Sequence, residues 1–330
     1  MGKGCRLVIV GVTGEVGRGL LSRLEDKEQL ALSEVHVLSS AADEDDTVMY
    51  RQRPLIVESA DGFDFSRADI AILATPAEAS RMLARRALDA GCRVMDLSSA
   101  FRGASGVPQI ISAEAEAAEL VSGLSGEAAL LLPLIKAVRE QSSLRAMQVT
   151  LLQPVSSAGR AGVRELAGQT GELLNGRGIE PAVFARQVAF NCLPLVGSSA
   201  VGMEAAIVAE LEEALGEDLP IVLQRVVIPV FYGLTALVSM ETDSPVSLAE
   251  AASALASADG VTLVNIDENQ QVATPVTDAS GQSGIYVCGL RELPEGQSGL
   301  AFTALADNVH QGAAEPALQL LEKWIKDFKY

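Results

Sequence analysis

The sequence predicts a two-domain α/β chain, a parallel sheet interleaved with helices followed by an α+β domain whose sheet is largely antiparallel. Three observations carry this. Up to about residue 125, apolar runs of strand length alternate with helix-patterned stretches, the signature of βαβ units. A glycine-rich turn, Val8-Ile9-Val10-Gly11-Val12-Thr13-Gly14-Glu15-Val16-Gly17, joins the first strand to the first helix. Beyond it, strand-like segments separated by Pro, Gly and Asp turns become the dominant texture.

The opening turn suits a dinucleotide pyrophosphate. Gly11 permits the tight bend, Gly14 lets the backbone approach phosphate, Gly17 lets helix and strand pack closely, and the helix N–H groups face the anion. Residues 14–24 place Val16, Leu20, Leu21 and Leu24 at helical spacing, and Val35-His36-Val37-Leu38 gives the next strand. The acidic stretch Asp43-Glu44-Asp45-Asp46 lacks the spaced ligands of a calcium loop and reads as a solvated turn. Residues 69–74 form a continuous apolar strand, 77–90 a helix after Pro76, and 93–97 another strand. The loops at 11–17, at Thr75-Pro76 and at Ser98-Ser99-Ala100-Phe101-Arg102 then all follow carboxyl ends of parallel strands, where ligands bind in open sheets.

In the second domain, helices are expected over 130–138 and 160–175. Strands are expected over 147–152, 222–230, 235–242, 262–265 and 284–291, and a closing helix over 312–328 with Pro316 near its first turn. The domains are accordingly expected over 1–125 with 312–330, and over 126–311.

Composition narrows the function classes. The 330 residues carry 25 Lys and Arg against 43 Asp and Glu, a net charge of −18, which disfavours nucleic acid and anionic membrane surfaces as partners. The longest apolar run, 128–135, is too short to span a bilayer and no basic-then-apolar leader opens the chain, so a cytoplasmic protein is expected. Cys5, Cys92, Cys192 and Cys288 show neither zinc spacing nor disulfide density and read as reduced structural residues. Only His36 and His310 are present, so no metal site is expected.

Taken together the motifs resemble the aspartate-semialdehyde dehydrogenase family, whose G-A-T-G-x-V-G and S-S-x-F-R read here as Gly11-Val12-Thr13-Gly14-Glu15-Val16-Gly17 and Ser98-Ser99-Ala100-Phe101-Arg102. The resemblance continues through 153–159 (family Q-x-x-S-G-A-G), Thr274-Pro275 and Ala306-Asp307-Asn308-Val309, and so covers nearly the whole chain. It implies a Rossmann-type dinucleotide-binding domain, a dimerisation and substrate domain, and a homodimer. It also implies the reductive dephosphorylation of an acyl phosphate in amino-acid biosynthesis, through a cysteine thioester and a nicotinamide hydride.

The residues that chemistry needs are altered. Counting back from Gln153, the family's nucleophilic cysteine falls at Gly126, and the neighbouring Ser125 reads as a helix cap. The family's R-V-P-V-x-x-G-H matches Val227-Ile228-Pro229-Val230-Phe231-Tyr232-Gly233-Leu234, so valine stands for the substrate arginine and leucine for the catalytic histidine. Arg225 shares the strand face of Val227, two residues away, and is otherwise expected to be a solvated surface residue. The phosphate-binding lysine falls at Ala206, beside Glu204. Arg102 and Gln153 remain from the substrate pocket and suit a small anionic ligand. Thr13, Glu15, Val16, the three glycines and Asn308 remain from the cofactor site. In Leu38-Ser39-Ser40-Ala41-Ala42-Asp43-Glu44 an alanine replaces the arginine of NADP-dependent members and acids follow, so of NAD and NADP the former is favoured.

Two functional expectations follow. One is a catalytically silent homologue with a binding or regulatory role. The other is a working NAD(P)-dependent oxidoreductase of this type, with Cys192, in Phe190-Asn191-Cys192-Leu193-Pro194, as the cysteine to test.

Overall fold

A computed structural model describes residues 4–39, 46–264, 272–309 and 314–327. They form two compact units, Met1–Ser125 with Ala313–Tyr330, and Gly126–Gly312. The first contains β1 (Cys5–Val10), α1 (Glu15–Glu25), β2 (Leu32–Ser39), β3 (Thr47–Tyr50), β4 (Arg53–Ser59), β5 (Ile70–Leu73), α2 (Ala77–Asp89), β6 (Arg93–Asp96) and β7 (Leu120–Ser122). The second contains α3 (Gly126–Arg139), β8 (Leu144–Gln153), α4 (Gly159–Leu174), β9 (Leu193–Pro194), α5 (Ser198–Leu215), β10 (Ile221–Val227) and β11 (Leu234–Thr242). It continues through α6 (Leu248–Ser257), β12 (Val261–Leu263), β13 (Ile285–Glu292) and β14 (Gly299–Ala306), and α7 (Glu315–Asp327) returns to the first unit.

The first sheet runs β3-β4-β2-β1-β5-β6-β7, parallel throughout except for the β3–β4 hairpin. Its strands are apolar in unbroken runs because both faces are covered. Leu7 and Ile9 of β1 pack with Leu20 and Leu24 of α1 and Leu318, Leu321 and Trp324 of α7. Val8 and Val10 pack the other way, with Phe63 and Phe65 and with Leu83 from α2. This is the parallel α/β domain the sequence predicts.

The second sheet runs β12-β13-β14-β11-β8-β10-β9. The β8–β10 and β12–β13 pairs are parallel and the rest antiparallel, a mixed and largely antiparallel sheet. Met147, Val149 and Leu151 of β8 are buried beneath the helices, whereas Val222 of β10 and Leu237 of β11, on the opposite face, are 61% and 45% exposed.

Several elements went unread in the sequence: the β3–β4 hairpin, the short strands β7 and β9, the central strand β14, and α6. The expected ends at Asn265, Gly312 and Phe328 lie outside the described residues, as do His310 and the 40–45 segment on which the preference for NAD rests. Among the described residues, no helix is long and apolar enough to cross a membrane.

Candidate functional site

In the first unit, the glycine turn owes its shape to sterics. Gly11 has φ +96°, and a Cβ there would lie 2.2 Å from the Ala74 carbonyl oxygen; one at Gly17 would lie 2.2 Å from the Gly11 carbonyl oxygen. Both positions therefore exclude any side chain. Gly14 precedes α1, and its missing Cβ would find only the Gly11 carbonyl oxygen, at 3.3 Å, which leaves the approach to the helix N-terminus open. The first-turn N–H groups of a helix lack intrahelical acceptors, so this cradle fits a pyrophosphate. The Thr13 and Ser39 hydroxyls, 2.9 Å apart, tie the turn to the end of β2. Glu15 and Val16 occupy the first turn of α1 and are half-buried.

The neighbouring loops are braced by a buried carboxyl. Asp96, wholly buried at the end of β6, accepts hydrogen bonds from Ser98 Oγ (2.9 Å) and from Ser80 of α2. Ser80 in turn shares a 2.8 Å hydrogen bond with Thr75, and the Ala100 N–H donates to Ser98 Oγ at 2.9 Å. Burial pushes the Asp96 carboxyl above the usual carboxylate range, against the opposing pull of the serine hydrogen bonds and the Arg102 charge. Arg102 donates through Nε to the Gly123 carbonyl oxygen (3.0 Å) and through Nη2 to that of Leu124 (3.3 Å).

The raised value gives a pH prediction. From about pH 4 up to that value the folded state keeps a proton the unfolded state has released, so stability falls as pH rises. Asp96→Asn retains one acceptor for Ser98 and removes the titration. Relative to the parent, its melting temperature should fall less, or rise more, as pH increases over that window; an unchanged slope would refute the assignment.

In the second unit, four segments bring the remaining site positions together. Gly126 opens α3, directly after the buried Ser125, and a Cβ at Gly126 would lie 3.2 Å from the Asn308 carbonyl oxygen. The Asn308 Oδ1 accepts from Ser156 Oγ at 3.2 Å and from the Gly233 N–H at 3.4 Å. Gly233, with φ +99°, must be glycine because a Cβ would lie 2.5 Å from the Pro275 carbonyl oxygen. Gln153 ends β8, is paired in register with Val227 of β10, and donates through Nε2 to the Glu127 carboxylate. Val227 and Leu234 are 5% and 1% exposed.

Two expectations change here. Arg225 is no solvated residue: it is 5% exposed, its Nη2 reaches Met203 Sδ at 3.5 Å, and its buried Nε has no hydrogen-bond partner among the described residues. The alternation of β10 explains this, since Leu223, Arg225 and Val227 all point inward. Cys192 is exposed on the loop before β9 and plays no part in a core, unlike Cys5, Cys92 and Cys288. Burial pushes the Cys92 thiol up to about 11 and also raises Cys288, so these two are poor nucleophiles at neutral pH.

Sequence reasoning missed Glu127 and Ser156, although both were readable: Glu127 follows the motif position of the nucleophile, and Ser156 is the serine of Q-x-x-S. Ala206 and Glu204 lie on α5, the alanine exposed. Among the described residues, no three His, Cys, Asp or Glu side chains cluster to hold a metal.

Comparison with known proteins places this architecture. Residues 6–136 match the family profile described as semialdehyde dehydrogenase, NAD binding domain, and residues 131–311 that described as semialdehyde dehydrogenase, dimerisation domain. The chain belongs to the semialdehyde dehydrogenase family. Within it, the chain is 35% identical over 339 residues to a USG-1 protein homolog of Pseudomonas aeruginosa, covering 99% of this chain and all of that one. It is 30% identical to aspartate-semialdehyde dehydrogenase 2 of Vibrio cholerae, covering 98% of each. The crystal structure of aspartate semialdehyde dehydrogenase II complexed with ASA, also from Vibrio cholerae, superposes with a TM-score of 0.92 at 30% identity, covering 99% of this chain and all of that one. This semialdehyde dehydrogenase family chain therefore carries an NAD(P)-binding domain and the family's dimerisation domain.

Proposed function

We propose that this chain is a catalytically silent relative of aspartate-semialdehyde dehydrogenase, a cytoplasmic homodimer that keeps the nucleotide cradle and serves a binding or regulatory role. The observation that carries the reading is the convergence of Gly126, Val227 and Leu234 with Gln153 and Asn308: the positions aligned with nucleophile, carboxylate clamp and general base hold side chains that can do none of these jobs. Glu127 reinforces it by placing a carboxylate on the substrate glutamine, which repels an anionic acyl phosphate. Gln153 and Arg102 both hold intramolecular partners, which favours structural roles for them over capture of a small anion.

In this reading residues 1–125 with 312–330 hold the dinucleotide through Gly11, Thr13, Gly14, Glu15, Val16 and Gly17. Residues 126–311 mediate dimerisation, for which the sheet face carrying the exposed Val222 and Leu237 offers an apolar surface. The bound nicotinamide would supply hydride chemistry; the chain lacks the thiolate to make use of it.

The test is a melting-temperature series with NAD and NADP. NAD at about a hundred times its dissociation constant should stabilise the protein by about 2.7 kcal/mol, with NADP less effective. No shift with either nucleotide would reduce the proposal to a partner-binding scaffold. The active reading rests on the exposed Cys192 and is tested in parallel: turnover of aspartate semialdehyde with phosphate and nucleotide that vanishes in Cys192→Ala would replace the silent reading.

A further inference from the structure

The buried arginine of β10 has an incomplete set of partners. Arg225 sits at mid-strand, level with Leu151 of β8, and its carbonyl oxygen accepts the Leu195 N–H at 3.1 Å. Its side chain turns inward with Leu223 and Val227, which leaves the residue 5% exposed. A guanidinium carries its charge and five donors into the interior, so its burial is costly unless strong acceptors meet it. Among the described residues the Arg225 side chain donates to the Met203 thioether alone, Nη2 to Sδ at 3.5 Å, and the buried Nε has no partner. A thioether is a weak acceptor.

Met203 stands where oxidation would complete that set. The helix α5 packs on β10 and buries a stripe made by Ala200, Ile207 and Leu211. Met203 lies one turn before Ile207, at the edge of the stripe. It is 54% exposed while its sulfur touches the buried guanidinium, so it joins solvent to the interior. Met49 and Met82 are exposed to a similar degree, at 60% and 63%, but they lie on β3 and α2 of the first unit, and neither sulfur accepts a hydrogen bond among the described residues. Met95, Met147 and Met240 are buried.

We propose that Met203 is a redox modification site, at which hydrogen peroxide converts the thioether to a sulfoxide that Arg225 then holds. A sulfur lone pair attacks one peroxide oxygen, and the S–O bond forms as the O–O bond breaks. The departing hydroxide takes up the proton of the transferred oxygen and leaves as water. Sulfur gives up two electrons and the peroxide accepts them. The new oxygen is a strong acceptor beside the guanidinium, so the weak N–H···S contact is replaced by a charge-assisted N–H···O bond between α5 and β10. Oxidation of a packed methionine ordinarily destabilises; here it stabilises, and that sign is the signature of the site. The glycine turn and positions 126, 227 and 234 take no part, so the site stands whether or not the chain is silent.

Peroxide treatment of the full chain, with peptide mass mapping and melting temperature read on the same samples, tests it. Met203 should gain one oxygen atom under conditions that oxidise Met49 and Met82. Cys192 and those two methionines oxidise in every variant, so the readout is the parent against Met203→Leu treated alike: the shift on oxidation should be more positive in the parent by about 2–4 °C. Met203→Gln, whose amide oxygen is a permanent acceptor of similar reach, should melt above Met203→Leu by a similar margin without peroxide. That margin should vanish with Arg225→Met, which keeps most of the buried volume. A Met203 that stays unoxidised, or a parent shift no more positive than that of Met203→Leu, overturns the proposal. So does a Met203→Gln margin that persists with Arg225→Met; the other comparisons change no buried residue and decide the matter if that variant does not fold.

Discussion

Gly126→Cys, which puts a thiol at the aligned nucleophile position, will return no measurable turnover with aspartate semialdehyde, phosphate and NAD or NADP. The substitution needs a small concession from the fold, because its Cβ would sit 3.2 Å from the Asn308 carbonyl oxygen, tighter than ordinary contact. The chemical obstacle is larger. A thiol becomes a nucleophile when a cation or base depresses its pKa, and Val227 and Leu234 offer neither while Glu127 opposes ionisation. Groups that act as a unit are non-additive, so one restored member contributes almost nothing. The triple variant Gly126→Cys, Val227→Arg, Leu234→His should exceed the single variant by about 10²-fold or more, the scale of a general base, provided its circular dichroism matches the parent's. Measurable turnover in the single variant, equal to that of the triple, would show that the base lies elsewhere, and with it the argument for silence from Leu234 would fall.

How much of this was legible in the sequence depended on how local the physics was. The glycine turn was readable because steric exclusion at Gly11 and Gly17 involves backbone only a few residues away or on the next strand. The parallel core strands were readable because burial on both faces leaves unbroken apolar runs. By contrast β14 reads Gly-Leu-Ala-Phe-Thr-Ala-Leu-Ala, poor in β-branched residues; it is a strand because β11 and β13 flank it, a tertiary cause invisible in its own composition. The β3–β4 hairpin hid because Arg51 and Gln52 break the usual turn rule. The helix α6 was legible and overlooked: Ser247-Leu248-Ala249-Glu250 is a capping box, with Ser247 Oγ accepting from the Glu250 N–H and the Glu250 carboxylate accepting from the Ser247 N–H. Arg225 also had its burial written in the strand alternation, since a residue that shares the face of Val227 shares its surroundings.

Trp324→Ala is expected to destabilise the first unit by about 3–5 kcal/mol, the range for emptying a fully buried aromatic site. Trp324 is 0% exposed in α7, within the cluster formed by β1 and α1, so truncation leaves a cavity among residues already held by the sheet. It also removes the Nε1 hydrogen bond to the Ala115 carbonyl oxygen, at 3.1 Å, and the ring beneath the Arg93 guanidinium, 4.0 Å away. Trp324→Phe separates these terms, since it keeps most of the apolar volume and loses the indole donor; about 1–2 kcal/mol is expected from the lost hydrogen bond and the smaller ring. This is the chain's one tryptophan, so its fluorescence reports on this core alone in the parent, and the variants must be followed by circular dichroism in urea. A loss below about 1 kcal/mol for Trp324→Ala would mean that α7 is not fastened by this residue. The same measurement bears on function: α7 supports the face of the sheet that carries α1, and α1 presents its N-terminus to the glycine turn, so the Trp324→Ala variant should lose its NAD-induced melting shift at the temperature where the first unit opens, ahead of the second.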